Sequence, residues 1–173
     1  MPGSPVAASL GPVVTTADDV SVCLLADRPD LVGAIGHIRW LEWGHAPERE
    51  DLTWWIDVTA REAGREQLPV TFVAVDALGE AVGAVGLGEF DPAELRDRSP
   101  WVLGMVVRSD RRGHGLGRLL LYRLERFASD HGRAEIWVAT GGPAVPFYQR
   151  CGWHEYDTLR LAGQMATVLR KPV

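Results

Sequence analysis

The chain has 173 residues, of which 46% are hydrophobic, with two cysteines and a formal net charge of −5 at pH 7. This length and apolar content suffice for one sizeable core and give no sign of a second folded domain. No apolar run reaches the 18 residues of a membrane-spanning helix, and Cys23 and Cys151 have neither zinc-site spacing nor the number for a disulfide framework. We therefore expect a single-domain cytoplasmic protein with no metal and no membrane partner.

The first residues lack the features of a targeting segment. Residues 1–12 have neither the basic start nor the long apolar run of a signal peptide. We expect residues 1–14 to form a disordered tail and residues 15–173 to form one domain.

Hydrophobic periodicity predicts elements in the order β-α-α-β-β-β-α-β-α-β-β. A strand over 20–25 precedes helices over 30–43 and 48–63, the second of which ends at Gly64. Strands over 70–76 and 81–90 form a hairpin through the turn 77–80. The remaining predicted elements are a strand over 101–107, a helix from Leu116 to a stop at Gly132, a strand over 134–140, a short helix over 144–150, and strands over 153–159 and 165–170.

The segment between the strand at 101–107 and the next helix has the composition of an anion-binding loop. It contains arginines and alternating glycines, namely Arg111, Arg112, Gly113, Gly115, Gly117 and Arg118. Glycines let a ligand approach the backbone, and the helix N-terminus favours negative charge. Six arginines and two carboxylates lie between residues 108 and 126. A basic island in an acidic chain suits a compact polyanion better than a nucleic-acid backbone.

The glycine spacing indicates which polyanion the loop binds. A P-loop would need Gly-Lys-Ser/Thr, and a dinucleotide fingerprint would need glycine where Arg118 stands. The pattern Arg112-x-x-Gly115-x-Gly117 resembles the Q/R-x-x-G-x-G/A motif of the GNAT superfamily of acyl-CoA N-acyltransferases, which binds the pyrophosphate of coenzyme A. A second segment is similar to that superfamily's closing motif, A-x-x-F-Y-x-x-x-G-F/W, through Ala144, Phe147, Tyr148, Gly152 and Trp153.

The resemblance implies a fold and a cosubstrate. The fold would be a single-domain GNAT fold of the α/β (α+β) class, in which helices flank a mixed, mostly antiparallel sheet of six to seven strands. The cosubstrate would be acetyl-CoA, with no metal and no nucleic acid, in a monomer or homodimer. The residues that the resemblance assigns to acetyl-CoA are Met105, Val106, Val107, Arg112, Gly113, His114, Gly115, Leu116, Gly117 and Arg118. Backbone N–H groups of Met105, Val106 and Val107 would polarise the thioester carbonyl, and Gly104 is consistent with a bulge beside them.

Two side chains are candidates for proton transfer. Tyr148 holds the family's tyrosine position and would donate a proton to the departing thiolate. A tyrosine that only packs through its ring would give the same sequence pattern. Glu89, near the mouth of the cleft, is our candidate base for the attacking amine. Other candidates for the base are Glu42, Asp91, His45 and His154, and ordered water is a further alternative.

The region of the first two helices points to the acceptor. It contains Trp40, Trp43, Trp54 and Trp55, and seven acidic residues against three arginines between residues 42 and 66. Aromatic and acidic walls suit a small cationic amine, such as an antibiotic or polyamine, although core tryptophans and exposed helix carboxylates would give the same pattern. The alternatives are a protein or peptide N-acetyltransferase, a non-catalytic acyl-CoA-binding module, and an enzyme that uses NAD.

Overall fold

The computed structural model describes residues 19–45, 50–91, 95–161 and 163–173. The predicted tail over 1–14 lies outside these ranges, as do residues 48 and 49 of the second predicted helix. No helix within the described ranges is long and apolar enough to cross a membrane.

Seven strands and four α-helices make up the described regular structure. The strands are β1 (Val20–Leu24), β2 (Val70–Asp76), β3 (Ala81–Gly88), β4 (Trp101–Val107), β5 (Glu135–Thr140), β6 (His154–Leu161) and β7 (Gln164–Pro172). The helices are α1 (Val32–Trp43), α2 (Leu52–Arg61), α3 (Leu116–Asp130) and α4 (Ala144–Arg150). Their order along the chain is the predicted one.

All seven strands belong to one sheet, in the order β1-β2-β3-β4-β5-β7-β6. Neighbouring strands are antiparallel except β4 and β5, which run parallel. A mixed, mostly antiparallel seven-stranded sheet with flanking helices confirms the predicted fold class.

The parallel pair holds together at one end only. Trp101 of β4 and Trp137 of β5 are the single pair in register, and the Trp137 N–H donates to the Pro100 carbonyl at 3.0 Å. Toward their carboxyl ends the two strands do not pair, so a gap opens in the middle of the sheet beside the second half of β4.

One face of the sheet is covered by α3 and α4. The apolar residues of α3 recur every three or four positions, which places them on one stripe toward the sheet. That stripe comprises Leu116, Leu120, Leu121, Leu124 and Ala128. It packs in the main core cluster with Phe72 of β2, Val85 of β3 and Tyr148 of α4.

The opposite face is covered by α1, against which α2 packs. Ile35 and Ile38 of α1 join a second core cluster with Val73 of β2 and Val106 of β4. The two helices approach closely because Gly36 has no side chain, since a Cβ there would lie 2.8 Å from the Cα of Ile56.

Several element boundaries differ from the predicted ones by a few residues, and three of these differences have a clear local reason. Helix α2 begins only at Leu52, because the carboxylate of Asp51 caps it and accepts the Trp54 N–H at 2.8 Å. Strand β3 ends at Gly88 rather than at residue 90, because the pair of Gly88 with Trp101 is the last one that it forms with β4. Strand β7 continues to Pro172, because its backbone pairs with β5 beyond the end of its apolar pattern.

Candidate active site

The loop between β4 and α3 presents open backbone at a helix start. Gly113 and Gly115 both have φ of +81°, a left-handed conformation that disfavours residues with a side chain. A Cβ at either position would have no atom within 4 Å. Gly115 is the N-cap of α3, so the first N–H groups of the helix have no partner earlier in it. This geometry can receive an anion.

Gly117, in contrast, is half-buried and packs against α4. A Cβ there would lie 2.9 Å from Cζ of Phe147 and 3.2 Å from Cε of Met105. The neighbouring Leu116 is 4% exposed and belongs to the main core cluster. Gly117 therefore permits close packing of helix on helix, in addition to any contact that its backbone makes with a ligand.

Arg112 connects this loop to two other elements. Its Nε donates to the Val107 carbonyl at 2.9 Å, and its Nη2 forms an ion pair with Glu42 of α1. Arg118 and His114 are exposed at the same helix start. The structure thus brings the predicted loop residues together at the carboxyl end of β4.

A bulge interrupts β4 beside the gap in the sheet. Gly104 has φ of +47°, and the register with β3 shifts between Ala84 and Gly86. The guanidinium of Arg39 lies directly against the bulge, since a Cβ at Gly104 would be 2.8 Å from its Cζ and Nη2 and 2.9 Å from its Nε. The bulge anticipated at Gly104 is confirmed, and only glycine fits beneath the guanidinium.

Arg39 is the functional candidate that the sequence analysis missed. It is 1% exposed, and its Nη1 donates to Thr59 Oγ1 at 3.2 Å and to Glu62 Oε2 at 2.7 Å. Its Nε and Nη2 are buried and have no hydrogen-bond partner in the described chain. The sequence contains a signal for this burial. Arg39 is four positions after Ile35, so the two residues lie on the same, buried face of the helix.

Tyr148 lies in the core on α4. Its ring is 3% exposed and makes edge contacts with Trp153 and Phe147, with centroid distances of 5.2 and 5.3 Å. Burial raises the pKa of the Tyr148 phenol well above its ordinary value, and nearby Cys151 and Asp91 raise it further. The hydroxyl therefore stays protonated throughout the neutral range.

Glu89 is held by two partners just after β3. Its Oε2 accepts from Ser99 Oγ at 2.6 Å, and its Oε1 pairs with Arg133 at 2.9 Å. The hydrogen bond from Ser99 lowers the pKa of the Glu89 carboxyl, and the charge of Arg133 lowers it further. Glu89 shares a pocket with Phe127 and His131, near the end of α3 opposite the glycine loop. A carboxylate held in this way is a weaker base than an unperturbed one.

The pKa of the Asp91 carboxyl is shifted in the opposite direction from that of Glu89. Although its side chain keeps contact with water, the protein packed around it raises the pKa of Asp91 to about 6, and the charge of Glu62 adds to the rise. The charge of Asp91 in turn acts on Tyr148. Asp91 therefore lies within electrostatic reach of both Glu62 and Tyr148.

The remaining candidates for the base are engaged or exposed. Glu42 is paired with Arg112, a ring nitrogen of His45 contacts the Leu41 carbonyl, and His154 is exposed at the start of β6.

A pocket of about 560 Å³ lies between α1 and the ends of β3 and β4. Its walls include His37, Ile38, Leu41, Glu42, Val107 and Arg112. The predicted tryptophan wall lies farther along α1 and α2, where Trp55 contacts Trp43 and Trp54 at centroid distances of 5.7 and 5.0 Å. Trp43 and Trp54 are 40% and 43% exposed, so this aromatic cluster faces solvent beside the pocket and does not line it.

Comparison with known proteins gives a matching family and a shared fold. The model of the acetyltransferase (GNAT) family matches residues 28–153. No curated protein matches the chain by sequence.

Solved structures share the fold at low sequence identity. An aminoglycoside 6'-N-acetyltransferase complexed with coenzyme A is 17% identical, with a TM-score of 0.72 over 88% of this chain and 96% of that one. A variant of the spermidine N-acetyltransferase SpeG from Vibrio cholerae is 18% identical, with a TM-score of 0.67 over 90% and 94%. An aminoglycoside 6'-acetyltransferase type Ii is 19% identical, with a TM-score of 0.68 over 88% and 96%.

Proposed function

Because the chain belongs to the acetyltransferase (GNAT) family, which is a family of acetyl-CoA-dependent enzymes, we propose that it acetylates a primary amine of a small molecule. The amine would attack the thioester directly in a complex of enzyme, acetyl-CoA and acceptor. The solved structures with a similar fold include an aminoglycoside N-acetyltransferase and a spermidine N-acetyltransferase. Aminoglycosides and spermidine both carry primary amines.

The observation that carries this proposal is the open glycine loop beside the gap in the sheet. Gly113 and Gly115 leave free space outside a helix N-terminus, which fits the pyrophosphate of coenzyme A. Arg112 and Arg118 would add charge-assisted contacts to it. The Glu42 carboxylate that now pairs with Arg112 would then be released toward the acceptor side.

The second half of β4 would hold the acyl-bearing arm. β5 does not pair with this half, and the Gly104 bulge turns the backbone there. The Val106 N–H faces β3, because the Arg108 N–H two residues later donates to the Val82 carbonyl of that strand. The backbone N–H groups of Met105 and Val107 would therefore polarise the thioester carbonyl. Losing one preorganised donor of this kind costs about 2.7–4 kcal/mol of transition-state stabilisation.

Tyr148 would supply the proton that the leaving thiolate needs. Its raised pKa keeps the phenol protonated at neutral pH, and proton transfer from a positioned acid typically contributes about 10²–10⁴-fold to the rate. The aromatic contacts of its ring fix the position of the hydroxyl.

The base is a choice between Glu89 and Asp91. We propose Asp91, because a carboxyl with a pKa of about 6 is better matched to neutral pH than one whose pKa is lowered. Glu89 is also held by Ser99 and Arg133, so it is less available to a substrate.

The test of the proposed function is an acceptor panel assayed by release of free thiol from acetyl-CoA. Small primary amines, a peptide with a free N-terminus and a lysine peptide would be compared at equal concentration. Turnover with small amines supports the proposal, and turnover confined to peptides would favour the peptide alternative. Tight acetyl-CoA binding with no turnover on any amine would instead support a non-catalytic acyl-CoA-binding module.

A further inference from the structure

The buried side-chain atoms that have no hydrogen-bond partner in the described chain share one property. All of them are N–H donors, and they belong to Arg39, Trp55, Arg98 and Trp137. Burial of an unpaired polar group costs about 1–3 kcal/mol, so native folds rarely keep one without a reason. A group that pairs with these donors must be a hydrogen-bond acceptor, so it is an oxygen-rich group and not a second cation.

Arg39 offers its donors in a defined geometry. Nη1 is occupied by Thr59 and Glu62, while Nε and Nη2, which form one edge of the guanidinium, are unpaired. The chain uses this same edge to bind a carboxylate with both nitrogens at three places, Arg28–Asp30, Arg98–Asp97 and Arg108–Asp110. This edge of Arg39 is therefore complementary to the two oxygens of a carboxylate. Because both nitrogens are shielded from solvent in the structure, a carboxylate that pairs with them must displace the groups packed against them.

The position of this edge relates it to the reaction. The guanidinium lies on Gly104, immediately before the β4 residues proposed to polarise the thioester. An attacking amine must come within about 3–3.5 Å of the thioester carbon. A carboxylate bound at Arg39 would then lie only a few bonds from that amine, as it does in an amino acid.

The charges around Arg39 also suit a molecule that carries both signs. Glu62 occupies the other side of the guanidinium, and Asp91 lies within electrostatic reach of Glu62. These two carboxylates can attract an ammonium group while Arg39 binds the carboxylate of the same molecule. A purely cationic acceptor would leave the buried guanidinium edge unpaired and would be repelled by it.

We propose that Arg39 determines acceptor specificity by binding a carboxylate, so that the preferred acceptors are small amines with a carboxylate a few bonds from the amino group. This inference rests on the proposed function and names its substrate class.

The test compares matched acceptors. Free α-amino acids, their carboxamides and the corresponding decarboxylated amines would be assayed with the wild-type chain and with Arg39→Met. We expect wild-type kcat/KM to favour the free acids by about 10–100-fold, the range for a hydrogen bond to a charged group. We expect Arg39→Met to lose this preference, so that the ratio of its kcat/KM on free acids to its kcat/KM on decarboxylated amines falls to about one.

Controls separate specificity from folding. Arg126 is exposed on α3, and Arg126→Met should leave the preference intact. The double variant Arg39→Met/Glu62→Gln removes both charges and so avoids a buried unpaired carboxylate. A thermal shift with acetyl-CoA would show that each variant is folded and binds its cosubstrate.

The outcomes are distinguishable. Two results would overturn the role of Arg39 and leave the proposed function standing. The first is wild-type activity on amines without a preference for the free acids. The second is an equal loss of activity on free acids and on decarboxylated amines in the folded double variant. A lack of turnover on every amine would overturn both.

Discussion

Burial decides what each candidate side chain can contribute to the chemistry. Tyr148, in the core, keeps its proton, while Glu89, tied to Ser99 and Arg133, keeps its charge. Asp91 changes its charge near neutral pH, and the glycines of the loop differ in whether their outer side is open or packed. Each of these differences leads to a measurable consequence.

Replacement of Tyr148 by Phe should lower kcat by about 10²–10⁴-fold with little change in acetyl-CoA affinity, because the ring contacts remain and only the proton donor is lost. Steady-state kinetics and isothermal calorimetry would measure the two quantities. Tyr122→Phe is the matched control, because Tyr122 is 53% exposed on α3. A loss below about threefold, with chemistry rate-limiting, would reduce Tyr148 to a packing residue.

Replacement of Asp91 by Asn should remove the acidic limb near pH 6 from the pH profile of kcat/KM, because the carboxyl with a pKa of about 6 would no longer be present to lose its proton. Glu89→Gln should leave that limb in place. If Glu89→Gln removes the limb and Asp91→Asn keeps it, the assignment of the base is reversed.

The same two variants should change stability in opposite directions. The folded state raises the pKa of Asp91, so its ionisation opposes folding as pH rises from the unfolded pKa to the folded one. Asp91→Asn should therefore raise Tm more at pH 8 than at pH 5. The folded state lowers the pKa of Glu89, so its stabilisation is present above the unfolded pKa and is lost as pH falls through the folded one. Glu89→Gln should lower Tm at pH 8, and thermal melts at both pH values would check each sign.

Substitution of Gly115 should separate ligand binding from backbone strain. Gly115 and Gly132 have φ of +81° and +71°, and an added Cβ at either has no neighbour within 4 Å. Alanine should cost about 1–2 kcal/mol of stability at both positions. Only Gly115→Ala should also weaken acetyl-CoA binding, by about tenfold or more, the equivalent of one charge-assisted hydrogen bond. Equal acetyl-CoA affinity in the two variants, measured by calorimetry, would exclude the loop from the cosubstrate site.

At the scale of elements, the predicted order and most boundaries agree with the structure because local signals determine them. The stripe of α3, the turn at Gly79 and the stop at Gly132 are all readable from residue type and spacing. The glycine-rich loop that leads into α3 is readable in the same way, while its role as an anion site stays a prediction. These features depend on neighbours in sequence, which is why periodicity and turn chemistry were sufficient.

Features that depend on distant partners could not be predicted. The pairing of Glu89 with Ser99 and Arg133 involves separations of 10 and 44 residues. The contact of Arg39 with Gly104 joins α1 to β4 across the sheet, and the packing of Gly117 on Phe147 joins two helices. A single sequence contains the residues of such contacts but not the fold that brings them together.

The gap between β4 and β5 predicts a local change on ligand binding. We expect the backbone amides of β4 from residue 103 to 107 to exchange hydrogen more slowly when acetyl-CoA is bound, because the arm would cover an edge that β5 leaves unpaired. Amides between β2 and β3, which pair along their length, should change little. Hydrogen exchange measured by mass spectrometry would test this, and unchanged exchange in β4 at saturation would exclude the gap as the binding position.

At the scale of the whole molecule, ligand binding should add to a stability that is otherwise supplied by the core clusters on the two faces of the sheet. Acetyl-CoA at a hundredfold excess over its dissociation constant should stabilise the fold by about 2.7 kcal/mol, which is roughly 5–10 °C in Tm for a chain of this size. ATP or NAD at the same concentration should give a smaller shift. A shift with NAD or ATP and none with acetyl-CoA would contradict the family's cosubstrate for this chain.

The single rung between Trp101 and Trp137 would also give acetyl-CoA, if it binds in the gap as proposed, a mechanical role. Strands β1–β4 and β5–β7 form two parts of one sheet, whose strand pairing is continuous across them only at this rung. The acyl-bearing arm of acetyl-CoA, bound between these two parts, would couple their motions and stiffen the sheet beneath the acceptor. When coenzyme A leaves, this link between the two parts would be lost, so we expect the molecule to be stiffer while it reacts than while it exchanges its ligands.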